Sequence, residues 1–507
     1  MAFTRRSFHK GALGGLLLPA FSRAADRPLI TTGCASGDVD HTGAVVWART
    51  GQAAKLWVEV SADDSFRNIQ RFAGGNALPE TDYNAKAVLS GLEAGRDWFY
   101  RVQFESLEGV GLLGDTMTGQ FRTAPVTADE DIRFCWSGDT VGQGYGIDPS
   151  RGGMQTYAAM LKHSPQFLVH SGDQIYADGP VPDTIALDDG TSWRNITTDG
   201  KSKVAESVQE FRENYYYNHL DEHYTRFHRG VPVYYQWDDH EVANNWYPGK
   251  VLGAPFKDTS ASLLAARARH AMFECNPLRR SPLDPERMFR VVHYGPLLDL
   301  FFIDLRSYRG VNSVNRQTAG SVDTAFLGSA QLQWLKQELQ QSTATWKLIC
   351  SDMPIGLCVT DFGTDIAENW ANADNGPPLG RELELQDLLG FIHRSNISKV
   401  HFFTADVHFC ASYHYSPERA AFKDFTPFWE FVSGPLHAGT FAPAALDMSF
   451  GPEERFCGVP HDLVANRPPS ANLQFFGVVS IDKDSRALTV AHYNRLDEKL
   501  WEITLPA

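Results

Sequence analysis

The sequence predicts an α/β fold of mixed sheets flanked by helices, preceded by an N-terminal β-sandwich. From about residue 29 to residue 125, short apolar runs are separated at regular intervals by Gly and Asp, which is typical of antiparallel strands. After Pro125 apolar strands alternate with helical segments, the pattern of βαβ units. Several of the later strands end in Asp or His, which indicates a functional site at one edge of the predicted sheets.

The composition limits the classes of function. A chain of 507 residues suffices for two or three domains and a large buried core. The net charge of −15 argues against broad binding to nucleic acid or anionic membranes, and bound cations would be needed to attract a phosphate ester. The seven cysteines have no C-x-x-C spacing, so neither a zinc ribbon nor a redox dithiol is predicted, and the sequence fixes no disulfide pairing.

Residues 1–25 predict an export signal. Thr4-Arg5-Arg6-Ser7-Phe8-His9-Lys10 precedes an apolar run at 11–18 that is too short to span a bilayer, and small residues suited to cleavage follow. The paired Arg followed by Phe and Lys resembles a twin-arginine (Tat) signal peptide, which exports folded proteins. This predicts contact with the Tat export machinery and a periplasmic or secreted location. A disordered basic tail is the alternative.

Residues 28–125 form the predicted β-sandwich. Leu89-Ser90-Gly91-Leu92, followed by Asp97-Trp98-Phe99-Tyr100-Arg101-Val102, is similar to the corner and penultimate strand of a fibronectin type III domain. This motif is widespread and carries no specific chemistry. We therefore interpret the first domain as a packing or substrate-shaping module.

Residues 130–507 form the second predicted domain, and its first βαβ unit brings two aspartates together. The strand from Ile132 leads to Asp139, a helix follows at about 154–162, and the next strand leads to Asp173. A right-handed crossover places both carboxylates at one sheet edge, where they repel unless a cation lies between them. Tyr176 offers a further oxygen ligand within one turn of Asp173.

Three later strands end in further carboxylates and histidines. One strand runs into Asp238-Asp239-His240-Glu241, a second into Asp352, and a third into Asp406-Val407-His408. In an extended segment Asp406 and His408 point to the same side and can share a metal. Asp304 and Arg306, which follow yet another strand, are interpreted as an internal ion pair.

The candidate site residues combine oxygen and imidazole ligands without a thiolate: Asp139, Asp173, Tyr176, Asp239, His240, Asp352, Asp406 and His408. Such ligands suit hard or borderline cations, so iron, calcium or manganese fits better than a structural zinc. A phenolate ligand favours ferric iron. Two neighbouring cations that share a carboxylate would activate water and hold the oxygens of a phosphoryl displacement.

Five stretches carry a resemblance to a known family: Thr32-Gly33-Cys34-Ala35-Ser36-Gly37-Asp38, Gly172-Asp173-Gln174-Ile175-Tyr176, Trp237-Asp238-Asp239-His240-Glu241-Val242-Ala243-Asn244-Asn245-Trp246, Asp304-Leu305-Arg306-Ser307-Tyr308-Arg309 and Ala405-Asp406-Val407-His408. They resemble the alkaline phosphatase D (PhoD-like) family of the calcineurin-like metallophosphoesterases, from about residue 29 to the end. The resemblance implies a four-layer α+β metallophosphoesterase sandwich. It also implies a secreted hydrolase of phosphate monoesters or diesters with Fe³⁺ and Ca²⁺, while Mn²⁺ or Zn²⁺ stays possible.

The same resemblance implies roles for individual residues. Asp173 would bridge the metals at the catalytic centre, and Tyr176 would bind iron as a phenolate. His240 would lie beside the substrate and stabilise or protonate the leaving oxygen. Asp139, Asp406 and His408 would belong to the metal shell, with Asp352 where the generic pattern has His and Asp239 where it has Asn.

One departure from the family concerns a cysteine that often follows the first strand as a metal ligand. Here that stretch is Ser137-Gly138-Asp139. Cys135 lies four residues before Asp139, roughly 13 Å along an extended strand, so it is a poor substitute. The resemblance therefore leaves open a different ligand shell or a different metal.

Two alternatives to a phosphatase stay open on the sequence alone. One is a phospholipase D-like phosphodiesterase on the same scaffold. The other is a non-catalytic surface binding protein, against which the retained carboxylate and histidine clusters count. The polar segment 178–203 is a candidate lid over the site. A small phosphate ester is the expected substrate, and no stable nucleic-acid or membrane partner is implied.

Overall fold

A computed structural model of the chain describes residues 27–109, 111–361 and 363–507. Within these ranges the chain forms sheets of nine, seven and four strands, a two-stranded hairpin and six α-helices. The predicted export signal, residues 1–25, lies outside the described residues. None of the described helices combines the length and the apolar character that crossing a membrane requires.

The strands and helices are numbered in chain order. The strands are β1 (Ile30–Gly37), β2 (Val45–Thr50), β3 (Ala54–Ser61), β4 (Gln70–Ala77), β5 (Asn84–Val88), β6 (Asp97–Ser106), β7 (Met117–Arg122), β8 (Ile132–Ser137), β9 (Leu168–Ser171), β10 (Thr184–Ala186), β11 (Ser192–Arg194), β12 (Val233–Gln236), β13 (Arg290–His293), β14 (Leu298–Phe302), β15 (Trp346–Cys350), β16 (Val400–Thr404), β17 (Ala411–Tyr415), β18 (Phe428–Val432), β19 (Pro452–Cys457), β20 (Phe475–Ile481), β21 (Leu488–Asn494) and β22 (Lys499–Leu505). The helices are α1 (Gln155–Leu161), α2 (Val208–Asn218), α3 (Glu222–Gly230), α4 (Ala261–Cys275), α5 (Ser329–Gln341) and α6 (Glu382–Arg394).

Two large sheets pack face to face and share the main core. The first has the strand order β22-β21-β20-β8-β9-β12-β1-β2-β5, and the second has the order β13-β14-β15-β16-β18-β17-β19. Phe134 and Trp136 of β8 point into the space between the sheets, where the Trp136 ring meets Phe403 at a centroid distance of 4.8 Å. Because side chains alternate along a strand, Cys135 faces the opposite way, into the core beneath the helices.

The outer faces of both sheets are covered by helices. Side chains of α1 to α4 pack against the outer face of the first sheet, and those of α5 and α6 pack against the second. β14, β15 and β16 are buried along their whole length and are mainly apolar, with Asp299, Lys347 and His401 among the exceptions. The resulting order of helix, sheet, sheet and helix is the predicted four-layer sandwich, which is confirmed.

The N-terminal region forms the predicted β-sandwich but shares a sheet with the rest of the chain. Its four-stranded sheet, β4-β3-β6-β7, packs against β1, β2 and β5 through alternating residues such as Leu56, Val58 and Tyr100. β1 also pairs in parallel with β12, with Gly37 opposite Val233. The sandwich therefore continues directly into the nine-stranded sheet, and the boundary near residues 125–130 stays a prediction.

Gly477 of β20 packs closely against the neighbouring strand of the nine-stranded sheet, where it lies opposite Trp136 of β8. A Cβ atom at Gly477 would overlap the Trp136 ring. Trp136 cannot move away because it is held between Phe403 and His492. The glycine is therefore required by packing and not by a turn.

We expect Gly477→Ala to lower the melting temperature and to cost about 1–3 kcal/mol or more, because overpacking displaces buried side chains. Gly75→Ala is the matched control: Gly75 is exposed in β4, and its added Cβ would lie 3.7 Å from the Lys86 carbonyl oxygen. Calorimetric scans of both variants measure the effect. Equal melting temperatures for the two would contradict this account of the packing.

Candidate metal centre

Six parallel strands of the two large sheets place a carboxylate at the same position relative to the strand end. The neighbours β8, β9 and β12 are parallel, and so are β14, β15 and β16, so their carboxyl ends lie at one edge of each sheet. In each case an aspartate stands two residues beyond the last strand residue: Asp139, Asp173, Asp238, Asp304, Asp352 and Asp406.

The first group of possible metal ligands is Asp139, Asp173 and His408, whose ligand atoms lie within 4.8 Å of one another. The Tyr176 hydroxyl joins them, 2.8 Å from His408 Nε2 and 3.4 Å from Asp139 Oδ1. His408 Nδ1 lies 2.5 Å from the Gly439 carbonyl oxygen and is placed to donate to it. That bond leaves Nε2 free as a ligand.

Two further groups adjoin the first. Asp173, Asp239 and His240 form one, and Asp238, Asp239 and Asp406 form the other. Asp173 belongs to two groups, and so does Asp239. The three groups are thus linked through shared carboxylates, which is the arrangement that neighbouring cations require.

The backbone at these strand ends is left-handed. Positive φ angles occur at Asp139 (65°), Asp173 (53°), Asp406 (69°) and His408 (61°). Such angles are uncommon for residues other than glycine and concentrate at functional sites. Gly172 (φ 100°) lets the loop after β9 approach the loop after β12, because a Cβ there would lie 2.5 Å from Asp238 Cβ.

Glu241 fixes two of these loops to each other. Its fully buried carboxylate accepts hydrogen bonds from the backbone N–H groups of Asp173 (3.1 Å), Gln174 (2.6 Å) and Asp238 (2.8 Å). The loop after β9 and the loop after β12 are therefore held by one side chain. Glu241 positions the candidate ligands and is not itself among them.

Several carboxylate oxygens at the strand ends have no hydrogen-bond partner among the described residues. They are Asp139 Oδ2, Asp238 Oδ2, Asp239 Oδ1 and both oxygens of Asp352. Burial is the largest cause that raises the pKa of Asp139, Asp173, Asp352 and Asp406 well above the ordinary value, and neighbouring carboxylates raise it further. Buried, unpaired carboxylates of this kind fit a cation-binding centre.

His240 differs from the other candidates in its exposure and partners. Its side chain is 13% exposed, its Nδ1 lies 2.8 Å from Asp178 Oδ1, and its ring stacks on Tyr176 at 4.2 Å. Burial lowers its pKa, but Asp178, Asp239 and Asp173 raise it more, so the pKa lies well above 6.5. The contact with Asp178 therefore favours the protonated imidazole at the opening of the site.

A family model described as PhoD-like phosphatase matches residues 134–492, more than half of the chain. The chain belongs to the PhoD-like phosphatase family. A second model, described as the N-terminal domain of PhoD-like phosphatase, matches residues 17–125. The matched ranges contain all the candidate site residues and the whole predicted β-sandwich, residues 28–125.

Individual relatives agree with this assignment. Alkaline phosphatase D from Bacillus subtilis (strain 168) is 28% identical over 435 residues, covering 81% of this chain and 69% of that protein. A solved structure of PhoD has a TM-score of 0.69 at 20% identity and covers 95% of this chain and 93% of its own. Purple acid phosphatase PPD1 from yellow lupin (Lupinus luteus) seeds has a TM-score of 0.56 at 12% identity, with 94% and 74% covered.

The predicted family and fold class are confirmed by these similarities, as is the class of enzyme, a phosphoric ester hydrolase. The two structures show a common fold. The individual roles of the candidate site residues stay predictions. What the structure establishes is that all of them except Asp352 occur in the linked groups or bond directly to them, while Asp352 follows β15, the strand between β14 and β16.

Two sequence predictions about geometry were wrong. Asp406 and His408 do not share one group, because both residues are left-handed and the segment is not extended; His408 joins Asp139 and Asp406 joins Asp238. Asp304 and Arg306 do not form a side-chain ion pair. Asp304 Oδ1 instead accepts the backbone N–H of Arg306 at 3.0 Å, and the guanidinium turns into the site.

A buried cation of the site, Arg306, is not among the residues predicted for it. Its Nε donates to Asp238 Oδ1 at 2.5 Å, its Nη1 donates to Glu368, and its Nη2 lies 3.5 Å from Asp406 Oδ1 and 3.9 Å from Asp239 Oδ1. Asp238 is likewise not among the predicted site residues. No local sequence pattern shows that Arg306 and Asp238, which are 68 positions apart, are in contact.

The segment 178–203 packs beside the site and contains the β10–β11 hairpin. Asp178 accepts the backbone N–H of Asn244 at 2.6 Å in addition to its contact with His240. Trp193 of β11 donates from Nε1 to the Gly146 carbonyl at 3.1 Å. These contacts tie the segment 178–203 to the loops that follow β8 and β12, and its function as a lid stays a prediction.

We expect Arg306→Met to lower the melting temperature strongly and to disturb metal binding, because removing one partner of a buried ion pair costs about 3–5 kcal/mol. Arg455→Met is the control, since Arg455 is 48% exposed and its surface pair with Glu453 contributes no more than about 1 kcal/mol. Thermal melting and elemental analysis measure both effects. A wild-type melting temperature for Arg306→Met would refute the assigned role.

Proposed function

We propose that the chain hydrolyses phosphate esters, monoesters or diesters, at a centre of neighbouring metal ions. The observation that carries the proposal is the position of Asp173, which lies within ligand distance of Asp139 and His408 on one side and of Asp239 on the other. When bound, the ions would supply Lewis-acid chemistry, neutralising the ester and making water nucleophilic. No neutral apolar pocket offers comparable attraction for a phosphate dianion.

The chain's own residues divide into ligands for two ions. Asp139, Tyr176 and His408 would hold the first, and Asp239 and Asp406, with Asp352 nearby, would hold the second. Asp173 would be common to both. The phenol of Tyr176 favours ferric iron at the first position, and the all-carboxylate second set favours calcium. Elemental analysis distinguishes iron and calcium from the alternatives, Mn²⁺ and Zn²⁺.

His240 is proposed as the catalytic residue beside the leaving oxygen. Asp178 accepts the Nδ1 hydrogen at 2.8 Å and orients the ring, so the second proton sits on Nε2. Nε2 lies 4.0 Å from Asp239 Oδ1, inside the ligand cluster. A proton held there can be donated to the alkoxide or phenoxide that departs.

The proposed centre predicts separable effects of two substitutions. His240→Asn is expected to lower kcat about 10²–10⁴-fold with unchanged metal content, because it removes a proton donor and not a ligand. Tyr176→Phe is expected to lose iron and any visible phenolate-to-iron absorption. Elemental analysis, absorption spectra and hydrolysis of an aryl monoester and a bis-aryl diester provide the readouts. Full turnover in His240→Asn would contradict the assignment, as would an unchanged spectrum in Tyr176→Phe.

The chain is further proposed to leave the cytoplasm by the twin-arginine route, on the strength of residues 1–25. Replacing Arg5 and Arg6 together by lysine is expected to leave the precursor in the cytoplasm, because the pair is the recognition feature of such signals. Fractionation of expressing cells measures the distribution. Undiminished export of the paired variant would contradict this proposal.

A further inference from the structure

A cleft of about 440 Å³ lies along β13, the edge strand of the seven-stranded sheet. β13 runs antiparallel to β14, with Arg290 opposite Phe302 and His293 opposite Asp299. The cleft therefore begins beside the carboxyl end of β14, which Asp304 follows, and extends toward the amino end of that strand. None of the candidate metal ligands lines it.

Four arginines and two aspartates line this arginine cleft: Arg279, Arg280, Arg287, Arg290, Asp38 and Asp40. Arg290 Nη2 lies 3.0 Å from Asp38 Oδ1, and Arg279 Nη2 lies 3.0 Å from Asp40 Oδ2. Each aspartate thus already has a guanidinium partner. The cleft keeps an excess of two positive charges in a chain whose net charge is −15.

Arg280 and Arg287 carry that excess, because neither forms a side-chain hydrogen bond or ion pair within the described part of the chain. Each is instead fixed against an aromatic ring: the guanidinium carbon of Arg280 lies 4.8 Å from the Phe273 centroid, and that of Arg287 lies 5.0 Å from the Phe289 centroid. A guanidinium held by its face keeps the N–H donors at its edge available.

We propose that the arginine cleft is a second anion site, separate from the metal centre, that binds a phosphate group. Guanidinium groups match phosphate because their planar fork donates two parallel hydrogen bonds. Phe289, Val291 and Val292 supply apolar wall beside the charges. The phosphate group therefore comes either from inorganic phosphate or from an organic ester, whose body would rest on that wall.

The test is equilibrium dialysis of the metal-loaded enzyme against radiolabelled inorganic phosphate. Wild type is expected to bind phosphate at the metal centre and at the cleft. The double variant Arg280→Gln, Arg287→Gln is expected to lose at least about tenfold in affinity at the cleft, because two charge-assisted hydrogen bonds are removed. Its kcat/KM toward a small aryl phosphate and its melting temperature are expected to be unchanged.

Arg486→Gln is the matched control, since Arg486 is exposed in the turn between β20 and β21 and does not line the cleft. It is expected to keep both sites. The proposal is overturned if the double variant binds phosphate like wild type, or if wild type binds phosphate at the metal centre alone. Phenylphosphonate in the same assay distinguishes the sources: tighter binding than phosphate assigns an organic ester, and weaker binding assigns free phosphate.

Discussion

Buried negative charge at the ends of two packed sheets is the constraint on which the rest of the structure depends. Asp139, Asp173 and Asp352 are almost completely buried, and burial is the largest cause of their raised pKa values. Arg306 and His240 supply part of the compensating charge, beside Asp238 and Asp239. The remaining unpartnered oxygens mark the positions where cations would complete the balance.

The fold brings these charges together by simple means. Each of six parallel strands places its aspartate two residues beyond its end, and face-to-face packing of the sheets sets the two rows of strand ends beside each other. Left-handed residues and Gly172 allow the sharp turns that follow. Glu241 then holds two of the loops through three backbone N–H groups. Supports of this kind hold the carboxyl groups in a fixed arrangement that suits cation binding.

Much of this could be predicted from the sequence because the signals are local. Mainly apolar runs such as residues 134–136 coincide with strands, and the acidic residue after each run identifies the edge that carries the site. What could not be predicted depends on contacts between distant residues. The pairing of Gly37 with Val233 joins strands of the two predicted domains in one sheet. The ion pair between Arg306 and Asp238 is not indicated by any local sequence pattern. The positive φ angle at Asp406 likewise could not be predicted, and it breaks the alternation of side chains that an extended strand would have.

The central claim is that neighbouring cations share the carboxylate of Asp173. The most direct measurement is an anomalous-difference map from crystals of the metal-loaded enzyme, collected at the absorption edge of iron and at a longer wavelength for calcium. The account predicts two peaks about 3.5–4 Å apart, both in contact with Asp173. No peak at Asp173, or a single ion bound elsewhere among the strand ends, would contradict it.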